Sequence, residues 1–113
     1  MAPVRQRQPR RFDDRHLDFI RSLPCLVCGD NTTTEAAHIR MSDPEVAKPM
    51  TGIAIKPDDK FTVPLCGSHH REQHNMREHT FWERQQIDPV KKALALYAVS
   101  GDHAAGERIV ERR

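Results

Sequence analysis

Cys25 and Cys28 stand in the run CLVCGD, and Cys66 and His69 in the run CGSH, so a CxxC and a CxxH lie on either side of a long intervening stretch. Two ligands three residues apart around a turn can face one ion, and two such half-sites supply the four ligands of a closed tetrahedral zinc centre. Any fold of this chain must then carry residues 25–28 against residues 66–69. A chain of 113 residues makes one domain, and its 37% hydrophobic and 5% aromatic content promises a thin core, so something besides burial must help hold it together. Three cysteines are an odd number and a poor disulfide framework, whereas thiolate ligands to a metal suit both the count and a reducing compartment. Three small buried thiols with no metal are the plainer alternative.

The sequence has no apolar run near the length of a membrane span and no pattern of a secretory signal, so a cytoplasmic location away from membranes is expected. The net charge is only +2, but the opening MAPVRQRQPRR has four arginines and no acid. Residues 1–12 read as a basic flexible tail suited to a polyanion or simply to solvent, with Pro3 and Pro9 opposing regular structure. Residues 13–113 read as a single domain.

Within that domain a first helix is predicted from Asp13 to Ser22, capped by Asp13 and presenting Phe12, His16, Phe19, Ile20 and Leu23 as one apolar stripe, with Pro24 beyond its end. NTTTEAAHIR suits a loop entering a short strand, and KFTVPLC a second strand. Between them, Met41 to Asp59 is polar and proline-rich around Gly52 and an apolar IAI, which reads as a long irregular loop able to reach a substrate. The proline-free run GSHHREQHNMREHTFWERQQ reads as one helix capped by Ser68 or Gly67. A final helix is predicted from Asp88 as cap and Pro89 as first helical residue, with Leu94, Leu96 and Tyr97 on or near its buried face and Gly101 ending it. The fold class is therefore α+β.

Beside the Cys25, Cys28, Cys66 and His69 set stand His70 and His74. His70 competes with His69 for the zinc on spacing alone. Four residues apart on a helix, His70 and His74 share one face, close enough to hold one ion and leave positions open for water or substrate; a solvated histidine-rich face would have the same pattern.

The order of these parts resembles the HNH nucleases: a CxxC knuckle, a lone histidine closing a strand in AAHIR, a second strand ending in VPLC, then a helix opening SHH. More closely, AHIR, GIAIKPDDKFTVPLCGSHHREQH and FWERQQIDP look like small phage-borne and prophage-borne members of that group, including the recombination-enhancement type that works with a recombinase filament, over about Cys25 to Ala98. The resemblance implies a zinc-stabilised ββα-metal core with flanking helices. It makes His38 the general base, an imidazole whose ordinary pKa of roughly 6.5 suits proton transfer from water near neutrality. Asp59 takes the place of the middle asparagine, orienting His38 or completing a metal shell, and His70 with His74 forms the metal-binding end. The implied reaction is in-line hydrolysis of a DNA phosphodiester, leaving 5′-phosphate and 3′-hydroxyl ends.

On this reading zinc is structural and a second ion, Mg2+ or Mn2+, is catalytic, although histidine with carboxylate and water also tolerates zinc. One departure from the pattern is Ala37, where many HNH enzymes carry a metal-binding aspartate or histidine. Either Asp59 and the two helix histidines suffice, or the ion arrives with the substrate, or catalysis has been lost. Arg40, Lys56, Lys60 and Arg71 are candidates for phosphate contacts, each also an ordinary exposed cation. Binding through such charges would be salt-dependent and largely indifferent to base sequence. The rival reading is a zinc-knuckle module that holds nucleic acid or a recombination partner without cutting; a zinc-stabilised protein adaptor is a third.

Overall fold

The computed structural model describes residues 13–42 and 58–112. The predicted basic tail, Phe12, Lys56 and most of the predicted loop, including IAI, lie outside the described residues. The fold is α+β: among the described residues a two-stranded sheet has five helices around it.

Helix α1 (Asp14–Arg21) starts where Asp13 Oδ1 accepts the backbone N–H of His16 at 3.0 Å. That bond satisfies one of the donors a helix start leaves unpaired. Its stripe of His16, Phe19 and Ile20, with Leu23 beyond the end, is buried. Strands β1 (Thr34–His38) and β2 (Thr62–Cys66) pair antiparallel, Thr34 opposite Cys66 and His38 opposite Thr62. Every residue of β2 is buried. Pro64 has no N–H for a ladder, which a two-stranded sheet tolerates because each strand is an edge; its carbonyl accepts from Leu26 N–H at 2.8 Å, tying the cysteine knuckle to the sheet.

The run after Cys66 is not one helix. It forms α2 (Gly67–Asn75) and α3 (Glu78–Gln85), divided at Met76 and Arg77, which are extended. Burial explains the break. Gln73 is buried on α2, and an unbroken helix would carry Trp82, nine residues on, about half a turn round to the solvent side. With the break, Phe81 and Trp82 enter the core at 0% and 2% exposure. The cap also differs from expectation: Cys66 holds that position without a side-chain capping bond to the helix backbone, Gly67 is the first helical residue and Ser68 is exposed.

Helix α4 (Pro89–Ala98) follows the predicted pattern, with Asp88 Oδ1 accepting from Lys91 N–H at 3.1 Å and Leu96 fully buried. It is not the final helix. After Gly101, at φ +92°, α5 (His103–Glu111) forms with Asp102 as its cap and folds back onto α1. Gly106 argues against a helix on propensity, yet a Cβ there would meet Phe19 Cζ at 2.8 Å and Leu23 Cδ2 at 2.9 Å, so close approach of α5 to α1 requires the glycine.

Candidate functional site

The sheet hairpin brings the two predicted half-sites together. Among the described residues, one group of three or more metal-ligating side chains clusters: Cys25, Cys28, Cys66 and His69, whose ligand atoms all lie within 4.8 Å of one another. Cys28 and Cys66 Sγ are 3.9 Å apart, and His69 Nδ1 is 3.2 Å from Cys66 Sγ and 3.7 Å from Cys25 Sγ. Zinc bonds of about 2.3 Å to sulfur and 2.0 Å to nitrogen give tetrahedral edges of about 3.8 and 3.5 Å, so the set fits zinc. Gly29, at φ +80°, lets the knuckle close with its N–H donating to Cys25 O at 2.8 Å.

Charge leads the same way. Cys25 falls below the ordinary thiol value because backbone donors at Cys66, Cys28 and Val27 outweigh burial. The Cys28 thiol is pushed up to about 11: an Asp30 backbone bond lowers it, but burial and the Cys25 and Cys66 sulfurs outweigh that bond. Thiolates so crowded hold their charge together only around a cation. His69 rather than His70 belongs to this cluster.

His38 closes β1, and its Nε2–H donates to Asp59 Oδ1 at 2.9 Å. Asp59 is 1% exposed, and its Oδ2 accepts from Asp13 N–H at 2.8 Å, so the carboxylate anchors both α1 and the imidazole. Preceding it in the strand, Ala37 turns into the core at 0% exposure. His38, Arg40, Gln73, His74, Met76 and Glu78 line a cleft of about 180 Å3. Glu78 organises its floor, Oε1 accepting from Arg40 N–H and Met41 N–H, both at 3.1 Å, and Oε2 from Gln73 Nε2 at 2.8 Å and Trp82 Nε1 at 3.3 Å. Gln73 Nε2 also donates to His38 O at 3.3 Å. The Nε of Arg40 is buried with no hydrogen-bond acceptor among the described residues.

On α2, His70 and His74 face each other with Nε2 atoms 3.3 Å apart, within the roughly 3.0–3.4 Å expected of two neighbouring ligands at bond lengths near 2.1 Å. The other ring nitrogen of His70, Nδ1, donates to Glu35 Oε1 at 2.7 Å. Burial holds His74 below its ordinary pKa, the nearby His70 and Arg40 adding to the effect against an opposing Glu78.

Of the candidate phosphate contacts, Arg40 lines the cleft, whereas Lys60 lies over the Phe61 ring with Nζ 5.2 Å from its centroid. Arg71 is exposed beside Gly67, where an added Cβ would lie 3.3 Å from both Arg71 Nη1 and Glu35 Oε2. Glu35, Gln73 and Glu78 do not stand out in the sequence. No motif marks them, because their importance lies in partners brought from other elements.

No helix among the described residues is long and apolar enough to cross a membrane. Comparison with curated proteins and with solved structures gave no match. A model of the family described as "Protein of unknown function (DUF968)" matches residues 3–99, and the chain, with its Cys3His cluster and its histidine-lined cleft, belongs to that family.

Proposed function

We propose that this protein is a metal-dependent DNA endonuclease built on an HNH-type ββα-metal core, with zinc in the Cys3His cluster and Mg2+ or Mn2+ at His70 and His74. The observation that carries the proposal is the pairing of His38 with a buried carboxylate at the edge of a cleft that His74 and Arg40 also line. A zinc knuckle built only for binding has no use for that arrangement.

The chain's own groups support hydrolysis as follows. Because His38 gives its Nε2–H to Asp59, the neutral ring carries its lone pair on Nδ1, the atom that takes the proton from the attacking water. The ionised Asp59 stabilises the imidazolium so formed and, held by Asp13 N–H, keeps the ring from turning. Arg40 offers a buried N–H that a phosphate oxygen can accept. A divalent ion at the two histidines would stabilise charge on the phosphate and the departing oxygen. Arg71, Lys60 and Lys56 would add backbone attraction without reading bases. A recombinase filament is a fitting presenter of the substrate, and a bacterial cytoplasm hosting a phage or prophage the fitting place.

The test is nicking of single-stranded and double-stranded DNA at low salt with Mg2+ and then Mn2+, comparing the wild type with His38→Ala. Cleavage by the wild type that falls at least a hundredfold in the variant, with circular dichroism and zinc content unchanged, is the expected result. Equal DNA binding by both proteins, with cleavage by neither even when a recombinase filament is supplied, would move the assignment to the binding module.

A further inference from the structure

We infer that Glu35 sets the tautomer of His70 and thereby the affinity of the His70–His74 pair for a divalent ion, an inference that rests on the two-histidine ion site of the proposed function. Glu35 is a surface residue of β1, half-exposed and opposite Leu65 in the register, a place where an acid is ordinarily solvated. Here its Oε1 instead lies 2.7 Å from His70 Nδ1, a length typical of a charge-assisted bond. An ionised carboxylate only accepts, so the ring proton sits on Nδ1. A neutral imidazole has one such proton, and its lone pair is left on Nε2, the atom that faces His74 Nε2 at 3.3 Å.

The carboxylate therefore does two things at once: it fixes which nitrogen can bind an ion and fixes the ring in the plane that points that nitrogen at its neighbour. The space it needs is provided by Gly67, where a side chain would press on Glu35 Oε2 at 3.3 Å. Because Glu35 comes from β1 and His70 from α2, the ion site depends on the strand and helix meeting in this register. Glu35 touches neither ion nor substrate and is a positioning residue.

The experiment uses the zinc-loaded full chain at pH 8. Nitrogen-15 correlation spectra report the His70 tautomer, and electron paramagnetic resonance of added Mn2+ reports ion affinity, for wild type, Glu35→Ala, Glu35→Gln and His70→Ala. The wild type is expected to hold His70 as the Nδ1–H form and to bind Mn2+. Glu35→Ala loses that tautomer preference and weakens Mn2+ by roughly 10–100-fold, while Glu35→Gln, which keeps an acceptor without the charge, falls between. Zinc content and melting temperature, the readouts a merely structural role would move, stay unchanged. Equal Mn2+ affinity in wild type and Glu35→Ala, with loss in His70→Ala, overturns the role of Glu35 alone. Equal and negligible binding in wild type and His70→Ala overturns the ion site itself, and the inference with it.

Discussion

Polar side chains carry more of this protein's design than its sequence advertises. His38, Asp59, His70 and His74 can be picked out because histidine spacing and motif order single them out, but Glu35 and Glu78 look like any other surface acid until β1, α2 and α3 are in place. His16 shows the converse. Its place in an apolar stripe is legible in the sequence, but not that it is fully buried with Nδ1 2.8 Å from Ser100 Oγ, nor that its Nε2 has no hydrogen-bond partner among the described residues. Burial lowers its pKa from the ordinary 6.5, against the opposing charges of Asp13 and Asp59. The folded state thus takes up a proton at this site less readily than the unfolded chain. The contribution to stability is complete above the unfolded value of 6.5 and is lost as pH falls through the lowered folded value. Urea midpoints of the zinc-loaded wild type should decline as pH falls below 6.5, and His16→Phe, which removes the titrating group and keeps a ring against Tyr97, should show a shallower decline. Identical slopes for the two proteins would assign the acid sensitivity to other groups.

Helix ends were readable where a capping side chain or proline marks them, as at Asp13 and at Asp88 with Pro89, because a cap is a local bond between near neighbours. The break at Met76 and Arg77 and the existence of α5 were not, because both are decided by distant packing: Phe81 and Trp82 must reach the core, and α5 must approach α1 closely at Gly106. Gly106 makes the second point measurable. Glycine inside a helix costs about 1 kcal/mol relative to alanine, so propensity alone favours Gly106→Ala. The methyl would lie 2.8 Å from Phe19 Cζ, and Phe19 is packed at 7% exposure beside fully buried Leu23, so neither ring nor isobutyl group can yield without moving its neighbours. Overpacking of this kind typically costs about 1–3 kcal/mol and outweighs the propensity gain. Gly106→Ala is therefore expected to be less stable than wild type in equilibrium urea unfolding, by about 1 kcal/mol net. A stabilised variant would mean that α5 can shift away from α1 at no cost.

A zinc ion in the Cys3His cluster would act on the whole fold because the cluster's side chains come from three places: the knuckle after α1, the end of β2, and the first turn of α2. It would crosslink a chain whose core is small, and an ion bound only by the folded state adds its binding free energy directly to stability. For a structural zinc that is on the order of 10 kcal/mol, as large as the entire net stability of a typical small domain. Cys66→Ser should consequently leave the chain unfolded by circular dichroism, and strong chelation should do the same to the wild type, reversibly on return of zinc. The consequence extends to the cleft. His69 and His70 are successive residues of α2, one in the Cys3His cluster and the other bound to Glu35 from β1, so the turn that zinc would pin is the turn that aims His70 at His74. Removing zinc in steps at a temperature where part of the fold survives should lower Mn2+ affinity in parallel with zinc occupancy. Protein that is zinc-free, folded and unchanged in Mn2+ binding would show that β1, β2 and α2 hold their register without the ion.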